Sequence, residues 1–219
     1  MDPETAHRQA IDASLNPYGL TVLGVVNPAI GAYKSLFLVG PHKARFWQVF
    51  QQSAEYRDGQ PDPIDRWSAR VLNGIAIGFG AKAVFPFGGP PYHPFISWAL
   101  QSGECFQSPV QILVHRDAGL FVSFRGALGF SEQLDLPLMA QSPCDTCAEK
   151  PCLSACPADA LVKNHYDVAA CHVFLDSEPG QSCTARGCAV RRACPVGQSD
   201  RVEAQSAFHM SYFHRKAPT

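Results

Sequence analysis

CDTCAEKPCLSACP, residues 144–157, holds four of the chain's nine cysteines. Four more follow at Cys171, Cys183, Cys188 and Cys194, and only Cys105 lies outside this region. The meaning of such a density depends on the compartment. The opening residues, MDPETAHRQAIDAS, lack a basic start followed by an apolar run, so no secretory signal is expected. The most apolar region, residues 71–87, is broken by Asn73, Lys82 and several glycines, well short of the ~18 uninterrupted apolar residues of a membrane span. The expectation is a cytoplasmic chain with no membrane partner. In a reducing compartment, clustered thiols are metal ligands or redox centres more often than disulfides.

The rest of the composition is that of an ordinary globular protein. Of 219 residues 46% are hydrophobic, and 18 basic residues face 19 acidic ones for a net charge of -1, which leaves no broad electrostatic footprint for nucleic acid. The length suits one large domain or two modest ones. Composition changes near residue 140, which predicts domains at 1–140 and 141–219. In the first, residues 21–26 (TVLGVV) and 35–39 (SLFLV) read as buried strands. Phe46, Val49 and Phe50 recur at helical spacing. So do Ile64, Trp67, Val71, Leu72, Ile75 and Phe79, with Pro63 in the first turn of that helix. Residues 110–115 and 120–125 read as a strand pair around the loop 116–119. Residues 85–94, FPFGGPPYHP, are too rich in Pro and Gly for regular structure and suit the wall of a ligand cleft. Strands and helices therefore mix, with at least one antiparallel pair. Gly78-Phe79-Gly80 lacks the third glycine of a dinucleotide-binding loop.

The cysteines carry the chemistry. The first set, Cys144-x2-Cys147-x4-Cys152-x3-Cys156-Pro157, resembles the bacterial ferredoxin run C-x2-C-x2-C-x3-C-P, with a middle spacing longer by two. In two-cluster ferredoxins the fourth cysteine of such a run ligates the other cluster. A reciprocal set is then required, and Cys171, Cys183, Cys188 and Cys194-Pro195 supply it. By that rule Cys144, Cys147, Cys152 and Cys194 hold one 4Fe-4S cluster, and Cys156, Cys171, Cys183 and Cys188 hold a second. The same count permits two four-thiolate zinc sites, for which the Cys-Pro pairs have no rationale. Arg186, Arg191 and Arg192, among the second ligands, suit stabilising reduced clusters, docking an acidic partner, or simply a solvated loop. Cys105 reads as a small buried residue.

Two family resemblances extend this reading. CPADAL, ACHVFLDSE and GCAVRRACP (156–161, 170–178, 187–195) resemble the iron-sulfur domain of epoxyqueuosine reductases and corrinoid reductive dehalogenases, with Cys183 filling the place of a compact C-x2-C. Residues 1–140 resemble the vitamin B12-processing family of the cobalamin C type. The matching segments are SLFLVGPHKARFWQVFQQS (35–53), DPIDRWSARV (62–71), HPFISWAL (93–100), ILVHRDAGLFVSFRGALGF (112–130) and LDLP (134–137). Together they imply an α+β fold, a nitroreductase-like mixed sheet with flanking helices, plus a small ferredoxin-like iron-sulfur domain. They imply that cobalamin binds with its lower base displaced, near His93-Pro94 and Arg125-Gly126. The Asn-Arg that follows His-Pro in that family is Phe95-Ile96 here, which argues against a glutathione-dependent route. FMN in place of cobalamin stays open, because a nitroreductase-like fold accepts either.

His93 also reads as a structural hydrogen-bonding residue, and Arg125 as a strand arginine paired with an acid. Tyr92, Trp67 and Trp98 line the cleft or belong to the core. FHMSYFHRK (208–216) either closes over a cluster or forms a tail. Three functions follow. One is an oxidoreductase that reduces or processes a corrinoid by one-electron transfer, fed by a donor such as flavodoxin or ferredoxin reductase. Another is a ferredoxin-like electron carrier serving a partner enzyme. An epoxyqueuosine-type tRNA-modifying enzyme ranks last, because the Val-Asp-Thr-Gly-Pro catalytic run of that family is absent.

Overall fold

The computed structural model describes residues 3–29, 32–134, 136 and 140–215. Asp135 and Pro137 of the LDLP segment, and Lys216 of the C-terminal one, lie outside the described residues. The protein is α+β and divides into two compact units: Met1–Cys105 with Val122–Ala140, and Phe106–Phe121 with Gln141–Thr219.

The first unit begins with α1 (Pro3–Leu15), β1 (Leu20–Val26) and β2 (Ser35–Pro41). Then come α2 (Lys43–Gln51), α3 (Ala54–Arg57), α4 (Pro63–Gly78), β3 (Lys82–Val84) and α5 (Phe95–Gln101). The chain next runs through a two-stranded sheet, β4 (Cys105–Gln107) with β5 (Leu113–His115), and returns as β6 (Gly126–Phe130). The main sheet has the order β1-β2-β6-β3, and every pairing in it is antiparallel.

That corrects the expected mixed sheet. β2 and β3 run the same way and are joined through helices, as parallel neighbours would be. However, β6 inserts between them, pairing Leu128 with Phe37 on one side and with Ala83 on the other. Within β2, Leu36, Phe37, Leu38 and Val39 are all fully buried, so its continuous apolar run reflects burial on both faces.

The helices follow their apolar stripes. Pro63 occupies the first turn of α4, and Trp67, Val71, Leu72 and Ala76 are its buried apolar face. The Trp67 ring stands edge-on to Phe46 and Phe50 of α2, at 5.5 and 5.8 Å. Phe79 falls just past the helix end, so the stripe stops earlier than predicted. Gly78 and Gly80 flank that helix C-terminus and form no phosphate-binding turn. Helix α3 starts at Ser53, whose Oγ accepts from the Tyr56 N–H.

Arg70 on α4 hydrogen-bonds Glu55 and holds its carboxyl below the ordinary 4.5. A depressed carboxylate pKa contributes stability that is present above the unfolded value and lost as pH falls through the folded one. Glu55→Gln is therefore expected to lower stability at neutral pH and to flatten the decline below about pH 4.5. Urea melts at stepped pH check this, and an acid limb identical to the parent's contradicts it.

Residues 120–125 differ from the expected strand. Leu120, Val122 and Phe124 are buried while the residues between them are not, so the alternation is real. The ladder nevertheless begins only at Gly126, in GALGF, a glycine-containing stretch that scores poorly as strand. The expected hairpin closes at one residue pair, with His115 and Gly119 exchanging both backbone hydrogen bonds at 3.0 and 2.9 Å. Residues 85–94 are irregular, as predicted.

The second unit continues with α6 (Pro143–Thr146), the short pair β7 (Leu161–Val162) and β8 (His165–Tyr166), α7 (Val168–Leu175), α8 (Gln181–Arg186), α9 (Ala189–Ala193) and α10 (Glu203–Arg215). A single boundary at residue 140 is corrected here, because residues 106–121 belong with this unit. The reason is packing: Val110, Val114 and Leu120 share a buried cluster with Cys152, Leu161, Val190 and Cys194. A second cluster joins Leu175, Cys183 and Met210. No helix among the described residues is long and apolar enough to cross a membrane.

Candidate functional site

The eight clustered cysteines line two pockets of the second unit, four in each. Cys144 sits in the first turn of α6, where Ser142 Oγ accepts from its N–H at 3.3 Å. Cys147 follows as the chain leaves that single turn. Cys152 lies in a 3-10 turn (Pro151–Leu153), and Cys194 lies directly after α9. These four line one pocket with Pro109, Val114, Leu120, Lys150 and Val196.

Cys156 precedes Pro157. Cys171 lies on α7, whose start is capped by Asp167 Oδ1 accepting from the Ala170 N–H at 2.9 Å. Cys183 lies on α8, and Cys188 caps α9. This quartet lines the other pocket with Leu161, Tyr166, Phe174, Leu175 and Met210. Each pocket holds ≈ 370 Å³ of atom-free space, its mouth included.

The chain order is crossed. Cys152 and Cys156 are four residues apart yet line different pockets, and so do Cys188 and Cys194, six residues apart. The electrostatics follow the same division. Burial pushes the Cys144, Cys152 and Cys171 thiols up. Cys194 and Cys147 add to the shift at Cys144, Cys144 and Cys194 at Cys152, and Cys188, Cys156 and Cys183 at Cys171. All nine cysteines are free thiols, and loading a thiolate-ligated group must displace protons from such sites. Among the described residues no three His, Cys, Asp or Glu side chains converge to hold a metal ion.

Gly119 shapes the first pocket, a role that the sequence marked only as a turn glycine. Its φ is +58°, and a Cβ there would lie 2.3 Å from the Val196 carbonyl oxygen and 3.1 Å from Cys194 Sγ. The turn before it is tied down by buried His115, whose Nδ1 accepts from the Asp117 and Ala118 N–H groups at 3.0 and 3.1 Å. The hairpin turn thereby presses on the segment that carries Cys194.

Helix α10 covers the second pocket: Met210 lines it and Phe213 packs on its core. His214 anchors the helix, with Nδ1 3.0 Å from His172 Nδ1 and Nε2 2.8 Å from Asp176 Oδ1. Of the three arginines, Arg186 pairs with Glu203 of α10 at 2.9 Å, and Arg192 donates to the Gly187 carbonyl at 3.0 Å. Arg191 is half-buried on α9, three residues after Cys188.

The candidate cofactor residues of the first unit are not gathered in the same way. His93 and Pro94 line an open groove with Pro86, Phe95, Ile96 and Leu100, and the exposed His93 ring stacks on Trp98 at 5.7 Å. Arg125 and Gly126 do not line this groove. Arg125 pairs with Asp65 at 3.5 Å, its Nε has no hydrogen-bond partner, and burial lowers its pKa. Gly126 is a packing glycine, because a Cβ would meet Leu72 Cδ1 at 2.5 Å and the Val84 carbonyl oxygen at 2.9 Å. Trp67 and Trp98 are core, whereas Tyr92 is exposed and none of the three lines the groove. Burial pushes the Cys105 thiol up to about 12, with Glu104 adding to it. Iodoacetamide near pH ~8 is therefore expected to spare Cys105 in the native protein and to modify it once unfolded. Rapid native labelling, read by peptide mass mapping, contradicts this.

No protein-family model matches the chain, and no curated protein matches it.

Proposed function

We propose that the protein is an iron-sulfur redox protein with one 4Fe-4S cluster in each four-cysteine pocket, serving to reduce or process a corrinoid bound by the first unit. The observation that carries the reading is the crossed division of eight free thiols into two apolar pockets. A two-cluster ferredoxin arrangement requires that crossing. A zinc site needs four thiolates about 2.3 Å from one point. The two Cys-Pro pairs, 156–157 and 194–195, have a place in the ferredoxin run and none in a four-thiolate zinc site.

When bound, a 4Fe-4S cluster supplies one-electron exchange. The chain's own residues do the rest. Eight sulfurs provide the donors, while Pro109, Val114, Leu120 and Val196 around the first pocket, and Leu161, Phe174, Leu175 and Met210 around the second, keep water away. Low solvent exposure is one of the levers on cluster potential. The electron originates on an external one-electron donor, flavodoxin or a ferredoxin reductase, and ends on the corrinoid cobalt. With this reading go a nitroreductase-like first unit, a ferredoxin-like second unit and a cytoplasmic location.

A ferredoxin-like carrier serving a partner enzyme is the second reading. One observation favours it: His93-Pro94 and Arg125-Gly126 do not share the groove. Anaerobic reconstitution with iron and sulfide is expected to give a brown protein that dithionite bleaches, and a colourless zinc protein contradicts the cluster assignment. Titration with cob(II)alamin then separates the two functions. A base-off spectrum supports corrinoid binding, and an unchanged spectrum leaves the carrier.

A further inference from the structure

We propose that α10 is a hinged strap over the second four-cysteine pocket, which swings away to let a 4Fe-4S core in or out and closes again on a latch made by His214, His172 and Asp176. The inference rests on the iron-sulfur reading above and adds to it a route of loading, with a separate lability for one of the two clusters.

The helix meets the pocket at three points along its length. Near its start it crosses Gly187, which ends α8 just before Cys188, so closely that a Cβ on that glycine would lie 2.6 Å from Ser206 Cβ. One turn on, Met210 lines the pocket with the four thiols. Near its end, the Phe213 ring lies 4.7 Å from that of His172, the neighbour of Cys171 on α7. Of the helices around this pocket, α7 and α8 carry ligand cysteines and α9 begins at one, whereas α10 carries none. It can therefore move without dismantling the quartet. No residue of α10 lines the first pocket.

The fastenings of the helix are light. Met210 is the one buried side chain among those described on α10. At one end Glu203 pairs with Arg186 at 2.9 Å, both side chains half-exposed. At the other, His214 Nδ1 is 3.0 Å from His172 Nδ1 and its Nε2 is 2.8 Å from Asp176 Oδ1, on a largely exposed carboxylate. Exposed polar pairs contribute little to stability, and an element with few buried apolar contacts opens locally before the whole fold does. Arg201 and Val202, outside both the 3-10 turn Gln198–Asp200 and α10, supply the hinge.

Loading conserves atoms and electrons. Cys156, Cys171, Cys183 and Cys188 take over a preformed core from four small-molecule thiolates. Each exchange breaks one Fe–S bond and forms another, and the cysteine proton leaves on the released thiol. The oxidation state of the core does not change.

The test is anaerobic iron loss from the reconstituted full chain to an excess of EDTA, read beside hydrogen exchange of the parent holoprotein. Cys194→Ala keeps the second cluster and Cys183→Ala the first. His214→Ala is expected to speed iron loss about tenfold beside Cys194→Ala and to leave it within about twofold beside Cys183→Ala. Amides of α10 are expected to exchange faster than those of α7 in the parent. Second-cluster loss that is no faster without His214, or α10 amides as protected as those of α7, overturns the proposal while leaving the cluster reading intact. A parent chain that takes up no iron and sulfide overturns both. Should His214→Ala fail to load, Asp176→Asn, which leaves both rings in place, decides by the same criterion.

Discussion

Replacing Cys144 and Cys194 together by alanine is expected to leave about four of about eight iron atoms per chain, no fewer than either replacement alone. Replacing Cys152 and Cys156 together is expected to remove nearly all of them. The first pair lies fifty residues apart but lines one pocket, whereas the second lies four residues apart and opens into two. Linear order predicts the reverse, with the close pair costing one cluster and the distant pair both. Iron and acid-labile sulfide determination on the two double variants reads the difference directly. Circular dichroism of the same samples separates loss of a cluster from loss of fold. If the Cys144/Cys194 variant loses essentially all its iron while the Cys152/Cys156 variant keeps half, the crossed division is wrong.

Gly119→Ala is expected to destabilise the second unit and to reduce iron at the first pocket selectively. The positive φ alone costs about 1–2 kcal/mol for a residue with a Cβ. More is added because the methyl would overlap the Val196 carbonyl at 2.3 Å, a backbone atom that cannot rotate away. Relief requires the 194–196 segment to retreat, carrying Cys194 out of its quartet. The expected product is a chain with about half the parent's iron, resembling Cys194→Ala in its EPR signals, with a lower midpoint in denaturant. Gly59, also at positive φ but with no atom near its missing Cβ, is the control. Gly59→Ala keeps full iron. Equal iron in both variants would refute the part assigned to Gly119.

These two expectations show what is legible in a sequence and what is not. The quartets could be written down because two short runs ending in Cys-Pro carry a reciprocity rule, and the pockets contain those same residues. Strand and helix patterns around 20–26, 35–41 and 63–78 were legible because each buries a long apolar run. The assignment of 106–121 to the second unit was not. Alternation of Val110, Val114 and Leu120 tells that a face is buried, but not against which core. Strand β6 escaped because Gly126 and Gly129 contribute close approach to neighbours, and glycine lowers strand propensity. Arg125 was ambiguous because its partner, Asp65, lies sixty residues away.

The grouping in the first unit was carried by resemblance alone. His93 and Pro94 face an open groove, while Arg125 is engaged with Asp65 and Gly126 is filled around by Leu72 and Val84. A corrinoid in that groove would meet His93, Ile96 and Leu100 before either of the other two.

Native mass spectrometry of the anaerobically reconstituted chain tests the central claim most directly. The account predicts a dominant species heavier than the apo-chain by two 4Fe-4S cores, less the protons displaced from eight thiols, with a half-loaded species in Cys194→Ala. An added mass equal to zinc ions, or no added mass, would contradict it.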